Sequence, residues 1–329
     1  MRNRVFIFAV ILFSTVALWQ CAPERTEKLS SDVAIQLSML PEEANGVTYI
    51  NVAALKESPF FAMAMEDLDR NHFTHSEYEE FMEATGFDLR KDVEKIYIAF
   101  SPGDNPHAKK FIAVVTGKFN PEKIMEFASR KDEEHKIVAE DHANFKIYRM
   151  EDKPFSLSFP DDRTLLLGAD EMVNDWLDRF KETSGKRVLS KKWINKIEKM
   201  TYKNGMCFTM DTEPVINTFM QQINRYGEGL RLEALKSLQE IDFSMALDDK
   251  IRFDGVGQFS DAENAGLFHD AFKGIIATAK ISVSGERDMV DMINQLKVKK
   301  QGKDVSVKFE LSQEDIQKFK SKQHKFDVI

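Results

Sequence analysis

The chain has 329 residues, 43% hydrophobic and 30% charged, which is enough apolar side chain for a real core in one large domain or two ordinary ones. A net charge of −8 without a concentrated run of Lys and Arg argues against nucleic acid as a partner, because phosphate neutralisation supplies most of that affinity. Cys21 and Cys207 are its only cysteines, so at most one disulfide is available to hold the fold.

At the N-terminus, Arg2 and Arg4 precede an apolar run over residues 5–19, VFIFAVILFSTVALW, and Cys21 follows. A helix across a bilayer needs about 20 apolar residues, so this shorter run suits the h-region of a signal peptide. A cysteine directly after such a run, then a polar stretch over 23–31, resembles a bacterial lipoprotein signal, with Gln20 standing where that family has Gly, Ala or Ser. The resemblance implies removal of residues 1–20, lipid on Cys21, and an exported protein held on a membrane of the cell envelope, facing the periplasm or the cell surface. A modified Cys21 would leave Cys207 without a disulfide partner.

Residues 21–40 read as a tether ending in a short helix over 32–39. A first module, 41–182, opens with Asn45-Gly46 and a strand over 47–52. Ser58-Pro59 starts an amphipathic helix with Phe60, Phe61, Met63, Ala64 and Leu68 on one side. A helix over 76–84 closed by Gly86 and a strand over 93–100 come next. Residues 111–127, FIAVVTGKFNPEKIMEF, join a strand to a helix with Asn120 as cap and Pro121 at the first helical position. Alternation at 145–148 predicts a strand, and 155–159 with 164–167 a hairpin. A helix over 169–180 turns Met172, Val173, Trp176, Leu177 and Phe180 inward. Residues 183–200 form a helical bridge with Trp193, Ile194 and Ile197 as its apolar stripe.

The second module, 201–322, repeats this order. Asn204-Gly205 precedes a strand over 206–210, and Pro214 a helix burying Val215, Ile216, Phe219 and Ile223. A strand over 238–247 matches 93–100. Residues 251–268, IRFDGVGQFSDAENAGLF, then repeat the strand-and-helix unit, with Ser260 and Glu263 as a capping box, at a spacing of 259 − 119 = 140 residues. The second module departs from the first in a helix with Met289, Met292, Ile293 and Leu296 on one face. Strands over 297–300 and 304–311 follow, and Ser312 caps a last helix carrying Ile316 and Phe319, before a tail at 323–329. Strands interleaved with helices and hairpins predict an α+β fold: two related modules, each a mostly antiparallel sheet packed with helices.

The succession GFDLRKDVEKIYIAF, FIAVVTGKFNPEKI, FKIYRM, DDRTLLLGADE, with the closing ISVSGERDMVDMINQLKVKKQGKDVSVKFELSQEDI, is similar to uncharacterised secreted and lipid-anchored bacterial proteins with a tandem domain of unknown function. The resemblance covers most of the mature chain and lies in hydrophobic pattern and turns. It implies an envelope location and an α+β fold, and it brings no activity and no site residues.

Reactive groupings are few. His72, His75 and Glu79 have metal-like spacing on a continuous helix, but Thr74 and Glu77 form a capping box that would leave His72 outside it, so a polar helix start is the better reading. Cys207 in MCFTM reads as a small core residue rather than a nucleophile. No Gly-x-Ser-x-Gly, His-Glu-x-x-His or P-loop occurs. Gly255-Val-Gly257 lacks the third glycine of a dinucleotide loop, and its expected job is to let a helix pack close to its strand. The 26 Phe and 15 Met allow an apolar cavity, with Phe60, Phe61, Met63 and Met65 opposing Phe219 and Met220. The sequence thus predicts a protein without cofactor or catalysis that binds a partner or supports the envelope, or alternatively carries an apolar ligand, with enzyme as the third reading.

Overall fold

In the computed structural model, residues 28–63, 75–101, 110–131, 137–151, 153–216 and 233–318 are described. Two short strands stand at its centre, β1 (Gly46–Ile50) and β8 (Met206–Asp211), each entered through Asn-Gly. They pair antiparallel, with Thr48 opposite Phe208 at mid-register. Close approach explains both glycines. A Cβ on Gly46 would lie 2.2 Å from the Phe100 ring, and one on Gly205 2.0 Å from the Met245 carbonyl oxygen. The ends of the pair are closed by the Asn51 amide donating to the Gly205 carbonyl and the Asp211 amide donating to that of Asn45, both at 2.8 Å.

The sheet grows outward from this pair in the same order on both sides. In the first half, β1 pairs with β2 (Val93–Ser101), β2 with β3 (Lys110–Gly117) and β3 with β7 (Thr164–Ala169). Beyond β7 lie β6 (Phe155–Asp161), β5 (Phe145–Met150) and the edge strand β4 (Ile137–His142). In the second half, β8 pairs with β9 (Leu238–Leu247), β9 with β10 (Lys250–Phe259) and β10 with β12 (Asp304–Ser312), and β11 (Lys297–Gln301) is the edge. The α+β class with antiparallel strands is as expected. The two expected sheets are one 12-stranded sheet, because β1 and β8 cover each other's open hydrogen-bonding edges.

Side chains alternate between the two faces of a strand, and the two halves use that alternation oppositely. On one face of the first half, Val47, Tyr49, Tyr97, Ile112 and Val114 are buried under α1 (Ser31–Met39), α6 (Asp170–Thr183) and α7 (Lys192–Glu198). Trp176 and Trp193 anchor that layer, and the Trp193 indole donates to the Pro41 carbonyl at 2.9 Å. Residues 31–40, expected to end a tether, belong to this core: Val33, Leu37, Met39 and Leu40 are all buried in it. The apolar spacing on α1 has a face to bury once the sheet exists.

The second core lies on the opposite face, where Leu238, Phe259 and Val305 meet Ala265 and Phe268 of α8 (Ala262–Ser282). A ladder of rings runs across this face through the sheet centre, Phe100 to Phe208 to Phe243 to Phe253, with centroids 5.8, 5.0 and 5.7 Å apart. The reverse side of the second half carries polar residues, among them Asp242, Ser244, Asp254 and Lys308.

Helix starts follow the expected chemistry with one correction. Asn120 Oδ1 accepts from the Lys123 amide at 3.2 Å and caps α5 (Pro121–Lys131). The cap of α8 is Asp261, not Ser260: its carboxylate accepts from the Asn264 amide at 2.8 Å, while the Ser260 amide turns to the Ser237 carbonyl. A carboxylate suits the positive end of the helix better than a hydroxyl does. Ser312 and Asp315 form a reciprocal capping box for the turn over 313–318, at 3.2 and 2.9 Å; Phe319 and the tail lie outside the described residues. Further helices are α2 (Val52–Lys56), α3 (His75–Thr85), α4 (Leu89–Asp92) and α9 (Arg287–Asn294).

Candidate functional site

Between the second half of the sheet and the inner side of α8 lies a cleft of about 520 Å³. Met210 of β8, Ile241 and Phe243 of β9, Phe253 of β10, and Phe268 and Phe272 of α8 form its walls. Its floor is Gly255 and Gly257, two residues apart on β10 and therefore on the same face. A Cβ at Gly255 would stand 3.0 Å from the Phe253 ring, and one at Gly257 3.1 Å from Leu238 Cδ1. Side chains here would fill the cleft from below. The expected role for these glycines is corrected accordingly: α8 rests on Phe259 through Phe268, with ring centroids 5.3 Å apart, and spans the glycines instead of sinking onto them.

The walls offer almost nothing but carbon. The Thr212 hydroxyl, at one end, is committed to the Leu238 carbonyl. Asp242 belongs to the strand beside the cleft, but alternation aims its carboxyl at the other face, opposite Thr209. A cleft of this size is typical of small-molecule sites, roughly 300–1,000 Å³, and one lined by Phe, Met, Ile and Leu repels water.

On the polar face, Lys196 of α7 bridges Asp211 and Glu240, each at 2.9 Å. Burial opposes the charge on Lys196, but its hydrogen bonds to Glu240 and Asp211 outweigh burial and raise its pKa. Asp242, next along β9, has its carboxyl pushed up to about 6 by burial, with the neighbouring Glu240 adding to the effect. A second cleft, of about 560 Å³, opens beside the central strand pair. It is bounded by α2, by the loop over 199–205 and by the turn joining β9 to β10.

Cys21 and His72 lie outside the described residues, as do Met65, Phe219 and Met220 of the expected cavity. His75 opens α3 and Glu79 lies one turn on. Among the described residues, no group of three or more His, Cys, Asp or Glu could hold a metal ion. Cys207 is wholly buried, with its thiol 3.6 Å from the Tyr202 carbonyl, and burial pushes that thiol up to about 12. It is no nucleophile at neutral pH. The cleft residues were missed because Met210, Ile241 and Phe268 look like ordinary core in sequence. The readable signal was Gly-Val-Gly, which places two empty positions on one face of a strand.

Comparison with protein-family models and with curated proteins gives no match. Among solved structures, the chain is similar to crystal form IV of TP0453, with 11% identity and a TM-score of 0.45 over 84% of this chain and 92% of that one. It is similar also to crystal form III of TP0453, with 12% identity and a TM-score of 0.47 over 85% of this chain and 95% of that one.

Proposed function

We propose that this is an exported, lipid-anchored protein of the cell envelope, without enzymatic activity, that binds an apolar ligand such as an acyl chain between β10 and α8. The observation that carries the reading is the cleft of about 520 Å³ whose floor is two glycines and whose walls are aromatic and aliphatic. Apolar burial contributes about 25 cal/mol per Å² removed from water, so a hydrocarbon gains affinity there without a single directional contact. Among the described residues the walls supply no nucleophile and no proton donor poised in the cleft, which fits carriage better than turnover. An anchor on Cys21 would keep such a carrier beside the lipids it serves, since each buried CH₂ of an acyl chain adds about 0.8 kcal/mol.

Native mass spectrometry of the mature protein, together with titration by the neutral fluorescent probe diphenylhexatriene, tests this. Co-purifying lipid and saturable probe binding are expected. A mature chain that carries no lipid and takes up no probe would reject the reading. Cys21→Ala should move the protein from the membrane fraction to the soluble one, and unchanged partition would reject the anchor.

A second reading, docking of a protein partner, is favoured by α8 itself. Of its 21 residues only Ala265 is buried, while Leu267, Ile275 and Ile281 are 58%, 49% and 73% exposed. An apolar outer surface on the helix that roofs the cleft suits a contact with another molecule.

A further inference from the structure

The second cleft, beside the central strand pair, has chemistry of a different kind. Among the described residues, Lys199, Lys203 and Arg252 line it against a single carboxylate, Asp248. The Arg252 guanidinium is held by Asp248 at 2.7 Å and by Asp249 at 2.8 Å, which fixes its position and offsets its charge. Lys199 stands exposed at the rim. Lys203 is different: it is only 5% exposed, and among the described residues its ammonium has one partner, the Glu198 carbonyl at 3.1 Å. An ammonium has three N–H donors and a full charge. Buried charges are normally paired, because an isolated one is costly to take out of water.

The other half of the chain shows that the fold does not require this lysine. Asn45-Gly46 and Asn204-Gly205 occupy matching places at the entry to β1 and β8, and the residue before Asn45 is Ala44, also buried. The position that is an alanine in one half is thus a lysine without a counter-charge in the other, and it lines a cleft. Leu55, Met200 and Leu247 supply an apolar side to the same space.

We infer that this cleft binds a small organic oxyanion, a carboxylate or a phosphate ester. Its charged group pairs with Lys203, and its carbon skeleton lies on Leu55, Met200 and Leu247. The oxyanion supplies the missing partner of the buried ammonium, and Lys199 draws it in from the rim. The site is separate from the apolar cleft and holds whether or not that cleft is filled.

Isothermal titration of the mature chain with butyrate and with inorganic phosphate, in a buffer free of both, separates the two sources of the anion. Saturable binding of at least one is expected, weakened more than about tenfold by Lys203→Met, as follows when one partner of a buried charge pair is removed. Lys203→Ala, which copies Ala44, should unfold no earlier than the wild type without ligand and should lose the rise in melting temperature that the anion gives the wild type. Diphenylhexatriene binding should be unchanged in both variants, which keeps this test apart from that of the apolar cleft. No saturable binding of either anion would overturn the inference. So would binding equally strong in both variants, or affinity in the wild type that does not fall as sodium chloride is raised.

Discussion

The two halves of the sheet share a strand order but treat the space over their third strand differently. In the first half, the rings of Phe81, Phe87, Phe119, Phe127 and Phe159 interlock there, with centroids 5.3 to 6.0 Å apart. Val115 of β3 stands where the second half has Gly255, 140 residues later, and both point to the same face. In the second half one row of rings, Phe259 to Phe268 to Phe272, joins the strand to α8, the ladder through Phe243 and Phe253 lies along the sheet, and the glycines between leave a cleft. Filling that space with side chains gives a core whose parts hold each other. Leaving it open gives up contact energy and makes room for a guest. One frame therefore carries a filled core on one side and, on the other, the open cleft in which we propose that an apolar ligand binds.

The sharpest way to break this comparison is at Trp176, wholly buried in the first half and stacked on Phe180 at 5.1 Å. Trp176→Ala is expected to cost about 3–5 kcal/mol in urea unfolding. Phe272→Ala, in the cleft wall, should cost far less because its ring already borders open space. Equal losses would show that the second half is packed as tightly as the first.

Val115→Gly imitates the second half inside the first. It should cost about 2 kcal/mol, from lost packing and added chain entropy. A neutral result would mean that Val115 fills nothing.

The polar face gives a pH test. The carboxyl of Asp242 rises from the usual 3.8 to about 6 in the folded protein. Folding therefore favours its neutral form, so the associated stability is complete below about 3.8 and is lost as pH climbs through about 6. Allowing for its partial exposure and its pairing with Glu240, Asp242→Asn should stabilise the protein at pH 7 by about 1 kcal/mol and flatten the loss between pH 4 and 6. A variant with the wild-type pH profile would locate the titration elsewhere.

The smallest effect on stability has the clearest consequence for binding. Gly257→Val places its Cβ 3.1 Å from the mobile end of Leu238, so it should fold and gain up to about 1 kcal/mol from a stiffer unfolded chain. It should also lower diphenylhexatriene affinity about tenfold by narrowing the cleft. Undiminished affinity would place the guest elsewhere.

Much of this was legible in the chain because it is local. The alternation in FKIYRM, the apolar stripe ending in Trp176 and Leu177, and Asn120 before Pro121 each use a period or a cap that acts within one or two turns. The helix expected over 169–180 is α6, and that over 76–84 is α3. What escaped was non-local. Nothing in Asn45-Gly46 says that its strand will lie against the one entered by Asn204-Gly205 and fuse two sheets. The apolar residues of 32–39 fit a loose helix as well as a buried one until α6 and α7 are placed over them. Likewise, Lys203 looks in sequence like one more surface charge at the start of the second module, and its burial is visible only once β8 and the β9–β10 turn close around it.

The chain alone was enough for the α+β class, for most of the strands and helices in their order, and for the Asn120 and Ser312 caps, because these follow from periodicity, turn chemistry and backbone hydrogen bonding within short stretches. Only the tertiary structure decided that the halves form one sheet, that their cores lie on opposite faces, and that Gly255 and Gly257 lie beneath an open space. Those outcomes depend on which surfaces meet, and the free energy of meeting comes from apolar area and close approach between residues far apart in the chain.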